Sequence, residues 1–197
     1  GFVRENALFA DAFMTVHLEA LKRFGEWQQI LDSRPVVEGL PVSGAYQHFA
    51  RGVALAALGR TDEARAEAAL FRQGLTAVPP EAAWGSNAAA AVLAVGLPYL
   101  DGEIAWREGR SDDALRLLGQ AVQQEDALKY DEPPPWTVPS RHALAAVQLA
   151  SALPAEAEKT YREDLRRYPE NGWSLGGLAR ALEAQGRGDE AAAVRAR

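Results

Sequence analysis

Apolar residues recur at helical spacing along most of the chain, and small residues interrupt them at regular places. The recurring marker is a small residue that closes one helix, followed five positions later by a residue packed inside the next helix. The marker pairs are Gly25 with Ile30, Gly59 with Ala64, Gly109 with Ala114, Ala152 with Ala157, and Gly186 with Ala191. Glycine closes helices because it adopts the left-handed backbone conformation easily. The pattern therefore predicts five helix pairs.

Successive markers are 34, 50, 43 and 34 residues apart, and the two longer intervals predict insertions. The first insertion combines a loop at residues 79–80 with a lengthened helix over about 86–107, which Pro98 should bend or split. The second insertion covers residues 130–136, where three consecutive prolines exclude a helix and favour an extended segment.

One continuous array over residues 1–197 is the predicted domain organisation, with units at about 6–34, 44–75, 86–125, 139–169 and 171–197. In the first unit, Phe9, Phe13, Val16 and Leu21 recur at helical spacing and predict an amphipathic helix. The chain begins without methionine and ends within a helical pattern. We therefore expect a piece of a longer protein.

Thr61 and Ser111, each two residues after a marker, are predicted helix N-caps because their hydroxyls can accept the first free amides of a helix.

Composition supports an all-α fold and limits the classes of partner that the chain can bind. Hydrophobic residues make up 48% of the chain and are mostly Ala and Leu, which favour helices. The net charge of −6 comes from 27 acidic and 21 basic residues that are scattered along the chain. No basic cluster has the density that nucleic-acid binding needs, so we expect no nucleic-acid partner.

The absence of cysteine excludes disulfides and fits a reducing compartment, so a cytoplasmic location is expected. The longest apolar run, residues 88–97, is shorter than the roughly 18 to 20 residues that span a bilayer. We therefore predict no membrane segment.

The last units resemble a known repeat family. Ala157, Tyr161 and Pro169 are spaced four and then eight residues apart, and the step from Gly186 to Ala191 follows. This arrangement resembles the tetratricopeptide repeat (TPR), which has a 34-residue period. Two segments are also similar to bacterial TPR proteins of unassigned function, YDEPPPW and REDLRRYPENGW. The resemblance implies an α-α superhelix of about five helix pairs with two insertions.

In TPR proteins the first helix of each pair lines a concave groove that usually holds a peptide. The resemblance therefore implies an interaction scaffold for a protein or peptide, and leaves the oligomeric state open. The implied groove residues are Phe49, Tyr99, Glu103, Trp106, His142 and Arg180. Aromatic residues of this kind supply much of the energy of peptide-binding surfaces, but they also pack against inserted loops.

Two alternatives follow from the insertions. In the first, the segment is half of a longer TPR protein whose own insertions fill the groove, so that it only supports another module. In the second, the loop has a role of its own, and its distinctive residues are Tyr130, Asp131, Glu132 and Trp136. This loop contacts a partner, forms a small-molecule or enzymatic site, or folds over the helices with Trp136 as a core anchor. An acidic pair can act as general acid and base, but no catalytic motif accompanies it, and we predict no enzyme.

Metal binding would require the three histidines, His17, His48 and His142, to converge with carboxylates. No spacing typical of a metal site is present. We expect no metal or other cofactor.

Overall fold

The computed structural model describes residues 5–36 and 38–197; the predicted array also included residues 1–4, which lie outside that range. The all-α prediction is confirmed, since helices make up most of the described residues and each of the two strands has two residues. The elements are α1 (Ala7–Ala10), a 3₁₀ helix (Asp11–Thr15), α2 (Val16–Phe24), α3 (Trp27–Asp32), α4 (Pro41–Ala57), α5 (Thr61–Thr76), β1 (Ala83–Trp84), β2 (Asn87–Ala88), α6 (Ala89–Ala94), α7 (Gly96–Arg107), α8 (Ser111–Asp126), α9 (Ser140–Ala150), α10 (Pro154–Arg167), α11 (Gly172–Glu183) and α12 (Gly188–Arg195).

All five markers occupy equivalent bends between two helices. Each has a left-handed backbone, with φ of 73° at Gly25, 77° at Gly59, 77° at Gly109, 58° at Ala152 and 75° at Gly186. In every bend the amide after the marker donates to the carbonyl five residues earlier, at 2.9–3.0 Å. The residue five positions after each marker is fully buried. The same local chemistry thus joins α2 to α3, α4 to α5, α7 to α8, α9 to α10, and α11 to α12.

Each helix pair packs against the next pair along the chain. One hydrophobic core runs from the N-terminal helices to α9 and includes the second and third pairs. A second, smaller core lies between α9 and α12, where Tyr161 of α10 packs with Leu178 and Leu182 of α11.

Thr61 and Ser111 are not N-caps, contrary to the prediction. They are the first residues of α5 and α8, and the N-cap positions are Arg60 and Arg110, which make no side-chain capping bond. The left-handed marker leaves a single residue before the next helix, and that residue is arginine in both pairs. An arginine side chain has only donors, so it cannot accept from the helix amides.

The first insertion differs from the prediction at its start. Residues 83–88 form a β-hairpin with the left-handed Gly85 in its turn, and the helix begins only at Ala89. The lengthened helix is split at Val95 into α6 and α7, close to Pro98 as predicted. Because Pro98 lies in the first turn of α7, its missing N–H leaves no helical hydrogen bond unmade.

The N-terminal helices bury a different face from the one predicted, although Leu21, the fourth residue of that pattern, packs against the core. Three apolar residues expected to face inward are 60–67% exposed: Phe9, Phe13 and Val16. Four polar residues at helical spacing are buried instead: Asp11, Thr15, Glu19 and Lys22.

Hydrogen bonds at Asp11 fix this orientation. Its carboxylate accepts from the backbone N–H groups of Val42, at 2.6 Å, and of Ser43, at 3.0 Å. Both amides belong to the first turn of α4, where a negative charge is favoured. Tertiary hydrogen bonding therefore overrides the apolar pattern of this segment.

Two adjacent glycines of α11 provide a matched test of the packing between α10 and α11. A methyl group at Gly177 would overlap the buried ring of Tyr161, whereas Gly176 has open space around it. We expect Gly177→Ala to lower the free energy of unfolding by about 2 kcal/mol through overpacking. Gly176→Ala should raise it by roughly 0.5–1 kcal/mol, because alanine favours a helix. Urea denaturation followed by circular dichroism measures both, and equal effects would contradict this packing.

Candidate binding site

Four aromatic rings from three parts of the chain surround the ammonium group of Lys22. Tyr46 and Phe49 come from α4, Tyr99 from α7, and Trp136 from the loop after α8. The Lys22 nitrogen lies 4.8 Å from the ring centre of Phe49, 4.9 Å from that of Trp136, and 5.7 Å from those of Tyr46 and Tyr99. Rings at such distances attract a cation through their electron-rich faces. We call these four rings the aromatic cage.

The cage rings also contact one another. Phe49 lies at the centre, with ring centroids 5.4 Å from Tyr46, 5.8 Å from Tyr99 and 5.2 Å from Trp136. Phe49 is completely buried, and Trp136 and Tyr99 are 3% and 6% exposed. The cage is therefore part of the hydrophobic core, with a charged side chain inserted into it.

Hydrogen bonds between the two insertions hold the loop that carries Trp136. The backbone N–H of Ser86 donates to the Asp131 carboxylate at 2.6 Å. Asn87 donates to the carbonyl of Lys129 and accepts from its N–H, at 3.1 and 2.8 Å. The hairpin of the first insertion thus fixes the second.

Burial and nearby acids set the charge state of the cage. Burial lowers the pKa of Lys22 from 10.5 to about 8, while the negative charges of Glu19, Glu125 and Glu103 favour the ammonium form. Burial also raises the pKa of Glu103 and brings that of Glu125 to about 7. Lys22 therefore stays mostly protonated at neutral pH in an environment that is apolar but flanked by carboxyl groups.

Arg23, the next residue of α2, binds two further helix pairs. Its guanidinium lies 3.7 Å from the ring centre of Trp173 in α11 and donates to Nδ1 of His142 in α9 at 3.0 Å. Phe24 also contacts Trp173, with ring centroids 6.2 Å apart. The end of α2 thus contacts α4, α7, α9 and α11, the first helices of four successive pairs. We call the surface of these four helices that α2 covers the α2-binding face.

Ser174, His142 and Asp164 lie together beneath Arg23, but not in the arrangement of a catalytic triad. Nε2 of His142 is 3.1 Å from Asp164 and 3.0 Å from the Ser174 hydroxyl, which also donates to Asp164 at 2.5 Å. Because a guanidinium only donates, Nδ1 accepts from Arg23 and the imidazole proton lies on Nε2. A triad needs the serine and the carboxylate on different ring nitrogens. This network positions His142 for Arg23.

The residues predicted for the groove fall into three groups. Phe49 and Tyr99 are buried in the cage, so neither is available to a partner while α2 is in place. Glu103, Trp106 and His142 are partly buried. Arg180 is exposed.

Neither the spacing of residues nor the family resemblance indicated that Tyr46 is a cage residue or that Lys22 is the cation inside the cage. The spacing of three between Tyr46 and Phe49 on one helix was the available signal for Tyr46. No local pattern indicated that a lysine would be buried.

In the second insertion, Trp136 is a buried anchor, as the core-anchor alternative predicted. Tyr130 is 81% exposed, and its hydroxyl donates to the Glu132 carboxylate. A cleft of about 290 Å³ lies beside this loop and includes Asp131, Arg167 and Tyr168 in its lining, whereas Glu132 is not part of the lining. The Asp131 carboxylate is bound to the N–H of Ser86 in the hairpin, and Glu132 lies outside the cleft. Asp131 and Glu132 therefore do not form an acidic pair within one cleft.

Among the residues that the structure describes, no group of three potential metal ligands comes together. His48 and His142 instead face the carboxylates of Glu67, at 2.7 Å, and Asp164.

The stretch Ala89–Arg107 is long and apolar enough to span a membrane by length and composition, although the sequence analysis predicted no such segment. Its most apolar window is 61% buried within the fold. A core helix of a folded protein meets the same criteria, so this stretch does not by itself indicate a membrane.

The fold and the site together define an all-α protein of paired helices in which an N-terminal helix covers the first helices of the later pairs. Comparisons with protein-family models, with curated proteins and with solved structures found no match.

Proposed function

We propose that this chain is a TPR-like helical array that serves as an interaction scaffold for a protein or peptide. The equivalent bends at the five markers support this architecture, together with the two intervals of 34 residues between them. In such arrays each pair covers its neighbour, and a rigid surface is held open across several pairs.

The observation that carries the proposal is the position of α2. This nine-residue helix contacts the first helices of four later pairs, through Lys22 in the aromatic cage and Arg23 on His142 and Trp173. An amphipathic ligand helix binds a groove in the same manner, with side chains a few residues apart as anchors. We infer that the α2-binding face is the surface for the partner.

Photo-cross-linking in an extract of the source cells tests the scaffold. A benzophenone amino acid placed at Trp173, which is 51% exposed at the edge of the α2-binding face, should form adducts with a partner. The same probe at Leu70 provides the matched control, because Leu70 is 44% exposed on α5, the second helix of its pair. Adducts at Trp173 and not at Leu70 are expected. Adducts at Leu70 alone would place the partner surface elsewhere.

The structural alternative has its own support, because α2 and Trp136 already fill the α2-binding face. Under this alternative, the segment is half of a longer TPR protein and only supports another module. If no adducts form at Trp173 and none at Leu70, this alternative is favoured over the scaffold.

A further inference from the structure

The buried lysine in the cage is costly and therefore informative. Removing an ammonium group from water is unfavourable, and it is tolerated only where the surrounding groups interact favourably with the charge. Lys22 is nevertheless 7% exposed among four aromatic rings. The cage thus has the chemistry of a site that accepts an alkylammonium group, whose charge is favoured by Glu19 of α2 itself and by Glu125 and Glu103 of the later helices.

Arg23 extends this chemistry to a second subsite. Its guanidinium stacks on Trp173, and the other contact is Nδ1 of His142, which Asp164 holds in place from the opposite side of the ring. Two consecutive basic residues therefore enter two separate subsites on successive helix pairs. The α2-binding face recognises a helix that presents adjacent lysine and arginine side chains.

The N-terminal segment also has features of a helix that can leave this face. Its outer side is apolar and exposed at Phe9, Phe13 and Val16, while its inner side buries four polar residues together with Ala12 and Leu18. The segment contains a 3₁₀ helix at Asp11–Thr15. A 3₁₀ stretch within a helical segment often marks a hinge. A sequence whose apolar residues remain exposed is not optimised for this single arrangement.

Resting on the scaffold function proposed above, we propose that the aromatic cage binds a lysine side chain of a partner helix, and that Lys22 of α2 occupies and blocks this site in the free protein. The partner is a helix with adjacent lysine and arginine, because that is the pair of side chains that the face already holds. Partner binding then requires the displacement of α2.

A competition experiment with the whole 197-residue chain tests this proposal. The probe is a synthetic peptide that copies residues 12–26, and its affinity is measured by isothermal titration calorimetry. The receptor variant is Lys22→Glu, in which a carboxylate would face the negative ring faces and the nearby acids, so α2 should undock. Because a tethered segment acts at an effective concentration near millimolar, the wild type should bind the peptide roughly a hundredfold more weakly than the variant.

A protein variant, a peptide variant and two structural measurements separate the possible causes. Lys22→Met in the protein keeps the length and removes the charge, and α2 should stay docked, so peptide binding should remain weak. The peptide with methionine at position 22 should bind the released receptor roughly tenfold more weakly than the lysine peptide. Hydrogen exchange over residues 16–24 reports whether α2 has undocked, and circular dichroism reports whether the helices persist.

Arg23→Glu serves as a second releasing variant in case Lys22→Glu fails to fold. If α2 stays protected from exchange in both variants, or if neither released protein binds the peptide, the blocking role of Lys22 is overturned. Equal binding of the lysine and methionine peptides would overturn the cage assignment while leaving the scaffold function intact. The scaffold function fails separately, through the absence of cross-linked partners at both Trp173 and Leu70.

Discussion

Replacement of Phe49 by alanine is expected to lower the free energy of unfolding by about 4 kcal/mol, a large part of the stability of a typical domain. Phe49 is fully buried and lies between Tyr46, Phe71, Tyr99 and Trp136. These rings belong to α4, α5, α7 and the second insertion. Removal of the central ring leaves a cavity that rigid neighbours from four elements cannot close.

Phe13→Ala is the matched control, because Phe13 is 60% exposed and loses the same atoms. Its effect should be below about 1 kcal/mol, as is usual for surface substitutions. Urea denaturation followed by circular dichroism compares the two variants with the wild type. If Phe49→Ala is too unstable to measure, Phe49→Leu should still lower the free energy of unfolding more than Phe13→Leu does. Equal losses at the two positions would show that Phe49 is not the centre of the core.

The second large effect is a dependence of stability on pH that arises from Glu125. This residue of α8 is 8% exposed, and burial raises its pKa from 4.5 to about 7. The N–H of Ser140 donates to the Glu125 carboxylate at 2.7 Å and so opposes the rise in pKa. The positive charge of Arg141 opposes it as well, whereas the negative charge of Asp126 adds to it. Between pH 4.5 and 7 the folded protein therefore binds a proton that the unfolded chain does not.

Stability consequently falls as the pH rises through this window. The contribution of Glu125 is fully present below pH 4.5 and is lost as the pH passes 7, and its full size is on the order of 3 kcal/mol. We expect Glu125→Gln to remove this dependence, because glutamine keeps an acceptor for Ser140 without titrating.

Denaturation of both proteins at several pH values from 4 to 8 isolates this effect from other titrating groups. The free energy of unfolding of the wild type minus that of Glu125→Gln should decrease as the pH rises across the window. The variant is therefore relatively more stable at high pH than at low pH. A difference that remains constant over the whole range would contradict the raised pKa.

The bends between helices could be predicted from the sequence because their causes are local. Gly59 and Ala64 illustrate the point: one closes a helix in a left-handed conformation, and the other lies five residues later on the buried side of the next helix. Both requirements depend on residues within a few positions along the chain. Ala152 follows the same geometry with φ of 58°, although alanine adopts it less easily than glycine.

The candidate site was predictable only in part. The family resemblance supplied Phe49 and Tyr99 as residues of first helices, and both are cage residues. It did not indicate that they are covered. The cage closes because Lys22 and Trp136, which lie 114 positions apart in the chain, meet across α4 and α7. No periodicity within one helix contains that information.

The sequence by itself determined the helical class and the places where the chain turns, because backbone conformation and helix propensity act over a few residues. Only the tertiary structure decided which face of the N-terminal helices is buried. Asp11 binds the first turn of α4 and Lys22 enters the cage, so the polar side of the segment faces inward and its phenylalanines face solvent. The energies of these long-range contacts outweigh the local apolar pattern, and they exist only once the distant helices have been brought together.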